Sequence, residues 1–239
     1  MPLADLDFSQ RANLVERMDD PCSYEDLHGC LHDIARVNRL TFAYRPTISW
    51  MQTLVAAHPS SAPLRVVDIG CGHGDMLRKI HKWARRSGVP VTLTGIDLNP
   101  DAIRAAKEAT PSTQSIEWII GDALSYHAPG KIDVVVSSLL AHHLTNPQIL
   151  QFLRWMEEHA RLGWFINDLH RQPVPYHLFR LLSRFTNWHP FVQYDGPVSI
   201  RRSFRTEDWQ SLCTAAGLPP GSISIKERRP ARLCVGRIK

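Results

Sequence analysis

Short apolar runs recur along the middle of the chain, and each has about the length of a buried strand. They alternate with segments in which apolar side chains return every three or four residues, the spacing of an amphipathic helix. Short buried strands that alternate with helices predict a doubly wound α/β fold, a mostly parallel sheet covered on both faces. The predicted strands cover residues 64–69, 91–96, 116–120, 132–136 and 161–166, and two weaker ones cover 222–226 and 231–236.

Capping residues mark several helix ends. Ser23, with Asp26 three positions later, resembles a capping box. Asn99-Pro100 and Asn146-Pro147 each place an N-cap residue before a proline at the first helical position. We expect a helix to follow each of these signals.

Two stretches depart from the alternation of strand and helix. Residues before 60 are only helical in pattern, with Arg45-Pro46 between two predicted helices. Residues 173–192 are aromatic and amphipathic and follow the fifth strand. We therefore expect an N-terminal helical cap over residues 1–60 and a second domain over 61–239. In that second domain we expect an inserted helix at about 170–200.

Composition favours an ordinary globular protein and argues against several classes. The formal net charge of +5 comes without a long basic run, which disfavours nucleic acid as a partner. Five cysteines without a C-x-x-C pair predict reduced thiols rather than disulfides or a zinc site. The stretch MPLADLDFSQR lacks the apolar segment of a signal peptide, and no run approaches the ~20 residues of a membrane span. We expect a soluble, cytoplasmic protein.

The first strand is followed by a glycine-rich loop in the stretch VVDIGCGHGD, residues 66–75. Gly70, Gly72 and Gly74 allow a tight turn and a close approach of backbone to a ligand. A dinucleotide loop reads G-x-G-x-x-G. Here the third glycine comes one residue early, and Asp75 fills the place of a small residue. The loop therefore indicates a nucleotide-like ligand but disfavours an NAD-dependent oxidoreductase.

Acidic residues also follow the first three strands. Asp68 ends the first strand, Asp97 follows the second in GIDLNP, and Asp122 follows the third in GDA. In an open parallel sheet, ligands bind at the carboxyl ends of the strands, so these acids are expected to meet at one site. A carboxylate in the position of Asp97 can accept two hydrogen bonds from a ribose diol.

These motifs, with DVVVSSLLAHHL after the third of the acids, resemble the class I S-adenosylmethionine-dependent methyltransferases in order and approximate spacing. The resemblance covers about residues 60–170 and extends through the weak strands toward 239. It implies a seven-stranded Rossmann-like sheet with an antiparallel last strand, and S-adenosyl-L-methionine as cofactor. It also places Asp68, Gly70 and Gly72 at the methionine part, Asp97 at the ribose, and Asp122 with Ala123 at the adenine. Cys71, Leu98 and Ser138 complete the predicted cofactor-binding residues.

The residues after the fourth strand bear on the methyl acceptor. Ser137 and Ser138 stand where methyltransferases of amino groups in bases or in glutamine often carry Asn/Asp-Pro-Pro-Tyr/Phe, which argues against those acceptors. His142 and His143 follow and suit an acceptor that must lose a proton, such as a phenol. A histidine that merely packs against the cofactor remains the alternative reading of either residue.

Further candidates lie after the fifth strand and in the N-terminal helices. Asp168 and His170 are expected to form an acid–imidazole pair, with His170 as a third candidate base. Tyr44, Arg45, Asp168 and Arg171 are the predicted substrate-binding residues. No further acid follows the fourth strand, so we expect no metal site and metal-independent chemistry.

The segments NDLHR, PYHLFRLLSRF and NRLTFAYRPT are similar to a bacterial group associated with phenolic or polyketide natural products. In small-molecule methyltransferases such added helices cover the pocket, so the resemblance implies that the inserted helix and the N-terminal helices form a lid; residues 173–192 as part of the core or of a dimer interface stay open as the alternative. The predicted function is transfer of a methyl group to a hydroxyl of a small aromatic molecule in natural product biosynthesis, with a histidine base. Transfer to carbon or nitrogen of a small metabolite, and cofactor binding without catalysis, stay open as alternatives. We expect a monomer or homodimer without a nucleic acid partner or a membrane span, and shallow membrane contact stays open.

Overall fold

Seven strands form a single sheet in the computed structural model, which describes residues 6–126, 128 and 130–239. The sheet order is β3-β2-β1-β4-β5-β7-β6, and β7 is antiparallel to both of its neighbours. The remaining neighbours pair in parallel. The doubly wound sheet and the antiparallel last strand are therefore confirmed. The strands are β1 (Leu64–Ile69), β2 (Val91–Asp97), β3 (Ile116–Ile120), β4 (Ile132–Ser138), β5 (Ala160–Leu169), β6 (Ser224–Arg228) and β7 (Arg232–Ile238).

Eight α-helices accompany the sheet in the described part of the chain. They are α1 (Tyr24–Leu40), α2 (Arg45–Ala57), α3 (Asp75–Ser87), α4 (Pro100–Glu108), α5 (Asn146–His159), α6 (Pro173–Ser183), α7 (Pro190–Arg202) and α8 (Thr206–Ala215). The expected helical insertion after the fifth strand is confirmed, but it consists of two separate helices, α6 and α7, rather than one. His189 ends the break between them as the N-cap of α7, with Pro190 as the first helical residue. Proline disfavours the helical conformation of the residue before it, here His189, which explains why the helix does not run through this position.

Two of the three predicted helix caps occur as expected. The Ser23 hydroxyl oxygen accepts a hydrogen bond from the Asp26 backbone N–H, and the Asn99 side chain accepts one from Asp101. The third prediction is off by one residue, since Thr145 is the N-cap of α5 and Asn146 is already helical. The side chain of Gln148 accepts a hydrogen bond from the Thr145 backbone N–H, so a capping interaction fixes this start.

Adjacent residues on each strand point to opposite faces of the sheet, and both faces are packed. Val67, Val135, Trp164 and Val235 belong to the core cluster that also contains residues of α5 and α8. Val66, Val134, Phe165 and Cys234 belong to the cluster that contains residues of α2 and α3. This burial on two sides explains why the strands appear in the sequence as continuous apolar runs.

The two N-terminal helices pack in different places. Met51 and Leu54 of α2 are fully buried in the core beneath the sheet, whereas Leu27 and Leu31 of α1 pack against α4. The domain division at residue 60 stays a prediction, and residues 1–5 of the expected cap lie outside the described residues. No helix in the described ranges is both long enough and apolar enough to cross a lipid bilayer.

The order of the strands creates a crevice at one edge of the sheet. The chain leaves β1 toward β2 and β3 on one side and returns to β4 on the other side of β1. Such a reversal opens a crevice at the carboxyl ends of the strands, and ligands of α/β proteins bind there. The glycine loop after β1 and the His142–His143 turn after β4 both lie at this edge.

Candidate active site

A cavity of about 810 Å³ occupies the crevice and is walled further by α1, α6 and α7. The structure brings most of the predicted site residues to its lining. These are Tyr44, Asp68, Gly70, Cys71, Gly72, Asp97, Leu98, Asp122, Ala123, Ser138, His142 and His143. Four predicted site residues, Arg45, Asp168, His170 and Arg171, do not line the cavity.

The glycine loop is shaped by close packing and by the end of β2. Gly70 has φ +67°, and a Cβ atom there would lie 2.9 Å from the side chain of Leu140. The backbone N–H groups of Gly70 and Cys71 both donate to the Ile96 carbonyl, at 2.9 and 3.1 Å. Glycine is therefore required at position 70 by its backbone conformation and by the lack of space.

Asp97 joins β2 to the glycine loop. One carboxylate oxygen accepts a hydrogen bond from the Gly72 N–H at 2.9 Å, and the other accepts one from Asn99. Burial raises the pKa of Asp97, while these backbone hydrogen bonds act in the opposite direction. Each oxygen still has a second lone pair, so Asp97 can hold the loop and at the same time accept hydrogen bonds from a ligand.

Asp68 has an unsatisfied oxygen inside the cavity wall. Its side chain is 1% exposed, and its Oδ1 atom has no hydrogen-bond partner. Burial, followed by the nearby Asp75 and Asp97, raises the pKa of Asp68 well above its usual range. A buried carboxylate without a partner is costly, so this atom is suited to a ligand that brings a cation or a hydrogen-bond donor.

The remaining predicted cofactor residues line the same side of the cavity. Ser138 also has a buried side-chain oxygen without a partner. Asp122 accepts a hydrogen bond from the Leu124 N–H at 3.0 Å, and Ala123 is buried beside it. Leu98 is 71% exposed although it lines the cavity, so it can cover a flat ligand placed there.

An acid–imidazole pair does form, but with a different histidine from the one expected. Asp168 binds His142 rather than His170: its Oδ1 lies 2.7 Å from the His142 Nδ1, and its Oδ2 accepts from the His142 backbone N–H. Asp168 is fully buried, which by itself favours the neutral acid. The adjacent His142 and the Leu169 N–H nevertheless lower the pKa of Asp168 to about 2.

The charged Asp168 fixes the state of the His142 ring. A carboxylate can only accept hydrogen bonds, so the His142 Nδ1 carries the proton and Nε2 keeps its lone pair in the neutral ring. This is the arrangement that a histidine general base needs. The pair places Asp168 behind the cavity, where it orients His142 instead of contacting a substrate.

His143 and His142 meet two acids that the sequence analysis did not select. Asp19 lies 2.9 Å from the His143 Nδ1, and the Glu16 carboxylate lies 3.6 and 3.8 Å from the Nε2 atoms of His142 and His143. Glu16 is 1% exposed, and burial raises its pKa to about 7, although His143 and Arg202 oppose this. Burial also acts on Asp19, but bonds to His143 and Arg202 lower its pKa overall.

Glu16, His142 and His143 could also hold a metal ion by geometry, since their ligand atoms lie within 4.8 Å of one another. Arg202 competes with such an ion: its Nη1 is 3.2 Å from Glu16 and 2.6 Å from Asp19. The guanidinium already supplies positive charge to both acids. The expected absence of a metal site stays a prediction.

Residues 8–19 run across the site, and hydrogen bonds with the buried side chains of Arg171 and Asp195 hold their backbone in place. Arg171 donates to the carbonyls of Phe8 and Ser9, both at 2.9 Å. Asp195 of α7 accepts from the backbone N–H groups of Arg17 and Met18. We call residues 8–19 the N-terminal strap; it delivers Glu16 and Asp19 to the cavity.

Three predicted site residues have other roles in the structure. Arg171 is 1% exposed, and besides the strap it binds the Ser203 carbonyl and Asp208, so its donors are committed to the protein. The Arg45 guanidinium lies 3.9 Å from the centre of the exposed Phe42 ring, outside the cavity. His170 is buried near Glu227 at 3.8 Å, and burial lowers its pKa.

The wall near Tyr44 contains a second polar network. The Tyr44 hydroxyl donates to Asp75 at 2.6 Å, and the Asn38 amide donates to the same carboxylate at 3.2 Å. Arg232, at the start of β7, donates to the Asn38 oxygen at 2.7 Å. Arg232 was not predicted, since an isolated arginine near the start of a weak strand carries no signal in the sequence. Glu16 and Asp19 were not predicted either, because they do not lie at the end of any predicted strand.

Backbone strain marks the turn between β4 and the histidines. Leu139, which lines the cavity, has φ +57°, a conformation that costs a non-glycine residue about 1–3 kcal/mol. Its N–H donates to the Asn167 carbonyl at 3.2 Å. The strained residue lets the chain turn sharply, so that Leu140 covers Gly70 and His142 reaches Asp168.

The site combines a 3-2-1-4-5-7-6 sheet, a glycine loop, an acid at or directly after the end of each of β1 to β3, and a histidine turn after β4. The chain contains a methyltransferase domain, and these features support the class I S-adenosylmethionine-dependent type. A family model described as a methyltransferase domain matches residues 66–163, which run from β1 into β5.

Comparison with known proteins gives relatives of the same class. The chain is 29% identical over 163 residues to a ubiquinone biosynthesis O-methyltransferase of Thiobacillus denitrificans, covering 60% of this chain and 65% of that one. It is 27% identical over 169 residues to a trans-aconitate 2-methyltransferase of Mycobacterium sp. (strain KMS), covering 69% and 61%. The chain thus spans less than two thirds of the length of either relative.

A solved structure shows that the fold is shared. The plantazolicin methyltransferase BpumL, in complex with a desmethyl-plantazolicin analogue and S-adenosylhomocysteine, superposes with a TM-score of 0.65 at 17% identity. The match covers 87% of this chain and 89% of that one. At this identity the likeness concerns the fold alone.

The cavity fits the cofactor of this class on its own chemistry. The unsatisfied Asp68 oxygen suits the ammonium group of the methionine part, and Asp97 suits a ribose diol. Gly70 lines the cavity with backbone atoms alone. The assignment of individual residues to parts of the cofactor follows the family resemblance and stays a prediction.

Proposed function

We propose that this chain transfers a methyl group from S-adenosylmethionine to a hydroxyl of a small aromatic molecule of phenolic or polyketide type. The observation that carries the proposal is the buried Asp168–His142 pair, which lies in the wall of the same cavity as the glycine loop. A phenol must lose its proton to become a good nucleophile, and an oriented imidazole can accept it. The name of one relative, an O-methyltransferase, supports transfer to oxygen.

S-adenosylmethionine supplies an electrophilic methyl group on a positively charged sulfur, and the products are S-adenosylhomocysteine, the methyl ether and one proton. The protein's part is to align the acceptor and take this proton. His142 accepts it at Nε2, while Asp168 holds the Nδ1–H and stabilises the resulting positive charge. Glu16, 3.6 Å from the same Nε2, adds a second carboxylate to that environment.

We propose that this chemistry proceeds without a metal ion, because the Arg202 guanidinium already supplies positive charge to the two acids that face the histidines. His143 is the alternative base; it is 21% exposed and oriented by Asp19. His170 is a poorer candidate, since it lies outside the cavity lining and burial lowers its pKa.

The direct test is incubation of the purified protein with methyl-labelled S-adenosylmethionine and a panel of phenols, followed by location of the label by mass spectrometry and NMR. Label on oxygen supports the proposal. Label only on carbon or nitrogen would show the alternative acceptor chemistry, since the same base can generate a carbon nucleophile. Tight binding of S-adenosylhomocysteine without turnover of any acceptor would favour the non-catalytic alternative.

We also propose that α6 and the residues directly after it make shallow contact with lipid. Leu181 of α6 and Phe185 beyond it are 52% and 82% exposed and support this proposal. Co-sedimentation with vesicles of neutral and anionic lipid checks it. Absence of the protein from the vesicle pellet under both conditions would contradict it.

A further inference from the structure

The helix α6 supplies a wholly apolar part of the cavity wall. Each of its lining residues is apolar, and the polar residues His177, Arg180 and Arg184 of the same segment do not line the cavity. The lining residues from α6 are Val174, Pro175, Leu178, Phe179 and Leu182. The spacing of Val174, Leu178 and Leu182 places them along one face of the helix.

Helix α1 contributes a second apolar stripe to the same cavity. Leu27, Leu31, Ile34 and Val37 line it, whereas His28, His32 and Arg36 of the same helix do not. We call these α1 and α6 residues together the apolar wall. The acids that line the cavity lie outside this wall: they come from the N-terminal strap, the strand ends, the start of α3 and Asp195 of α7. Arg232, which also lines the cavity, is the first residue of β7.

The apolar wall is open to water along α6. Val174 is 72% exposed, and Leu178 and Leu182 are each 48% exposed, although all three line the cavity. The cavity therefore reaches the protein surface along this helix. Apolar side chains gathered at the mouth of a ligand cavity indicate that part of the ligand covers them when bound.

We propose that the apolar wall binds a hydrocarbon tail of the methyl acceptor, so that the substrate is a hydroxylated ring carrying an alkyl or alkenyl chain. The ring hydroxyl lies at the Glu16–His142–His143 end of the cavity, and the chain runs along α6 toward the surface. Only the position of the hydroxyl rests on the proposed function; the tail subsite rests on the wall itself. Burial of methylene groups against these side chains drives the binding of the tail.

The test uses a series of para-alkylphenols with methyl, propyl, pentyl and heptyl chains. Turnover is measured with S-adenosylmethionine, and binding is measured by calorimetry on the protein saturated with S-adenosylhomocysteine. We expect kcat/KM to rise about threefold to fourfold for each added methylene, mainly through KM, with affinity rising in parallel.

Two leucines of α6 give a matched pair of variants. Leu182 and Leu181 are adjacent and 48% and 52% exposed, but only Leu182 lines the cavity. In Leu182→Asp, we expect the ratio of kcat/KM for the heptyl over the methyl compound to fall at least about tenfold. In Leu181→Asp this ratio is kept, which controls for a general effect of charge on the helix.

The outcomes separate the tail subsite from the proposed function. Equal kcat/KM and equal affinity along the series, with methyl transfer to every member, would overturn the tail subsite alone. Affinity that rises with chain length, without transfer to oxygen in any member, would overturn the proposed function and support the subsite. An equal loss of the chain-length ratio in Leu181→Asp would also overturn the assignment to the apolar wall.

Discussion

The two halves of the cavity are built from different kinds of chain segment. The cofactor half consists of the carboxyl ends of β1, β2 and β3 with the loops that directly follow them, and it contains three acids: Asp68, Asp97 and Asp122. The acceptor half joins the turn after β4 to the N-terminal strap, to α6 and α7, and to Arg232 of β7. The first half is local in sequence, whereas the second exists only through contacts between distant segments.

The halves also differ in how their charges are satisfied. The cofactor half, together with Ser138 at the end of β4, leaves buried side-chain oxygens of Asp68 and Ser138 without partners. In the acceptor half, His142 is paired with Asp168, and His143 with Asp19, while Arg202 binds both Glu16 and Asp19. The cofactor half thus has groups reserved for a ligand, and the acceptor half has an internal network that holds its reactive histidine in place. This difference predicts that the two functions can be damaged separately.

The largest expected effect is on turnover in the acceptor half. Substitution of His142 by Ala removes the oriented base, and we expect kcat to fall about 10²-fold or more. Affinity for S-adenosylhomocysteine, measured by calorimetry, stays close to wild type because His142 belongs to the other half. His143→Ala is expected to lose less, and His170→Ala, outside the cavity, is the control. A greater loss in His143→Ala would transfer the role of base to His143.

The next effect concerns stability and pH. Burial raises the pKa of Glu16 from an ordinary 4.5 to about 7, so the native state keeps this proton to higher pH than the unfolded state does. The free energy of unfolding therefore falls as pH rises through this window, by about 3 kcal/mol from this group. Denaturant titrations between pH 4.5 and 7.5 should show wild type losing that stability relative to Glu16→Gln. Parallel pH curves for the two proteins would contradict the assignment.

A somewhat smaller effect is expected in the cofactor half. Asp97→Ala removes a carboxylate that holds Gly72 and faces the cavity, and should weaken cofactor binding by about 1–3 kcal/mol. Calorimetry with S-adenosylhomocysteine measures this change. Asp101→Ala is a matched control, since Asp101 lies near by on α4 but does not line the cavity. An unchanged dissociation constant in Asp97→Ala would remove Asp97 from the cofactor site.

No effect is expected from removal of metal ions. Dialysis against a chelator should leave turnover unchanged, because the Arg202 guanidinium rather than a metal ion pairs with Glu16 and Asp19. Metal analysis of the purified protein is the accompanying measurement. Loss of turnover that returns with a divalent cation would instead assign Glu16, His142 and His143 as metal ligands.

The same contrast explains how much of the molecule could be predicted from the sequence. The five parallel strands were predicted within a few residues, because burial on both faces gives continuous apolar runs. The acids of the cofactor half could be located because the carboxyl ends of parallel strands meet at one edge of the sheet. Residues at the ends of different strands are therefore close in space although they are far apart in the sequence.

The acceptor half could be predicted only in part. His142 and His143 follow a strand and were selected as candidate bases. The pairing of His142 with Asp168 was not predicted, because the backbone pattern does not decide which of two nearby rings turns toward a carboxylate. Arg171 looked like a substrate residue because it follows β5, yet it is buried and holds the N-terminal strap. Glu16 carries no local signal, because its position depends on Arg202 and Asp195, more than 170 residues away.

The insertion of β7 between β5 and β6 sets an order of assembly during protein synthesis. On a ribosome, the strands and loops of the cofactor half emerge in sequence before β5, β6 and β7, and the strands that pair with β1, β2 and β3 lie within residues 64–138. β6 has no neighbour in the sheet until β7 has been made, and Asn38 meets Arg232 only at that stage. A nascent chain can therefore form the cofactor edge well before Glu16, although translated earlier, meets Arg202 and the strap closes over His142.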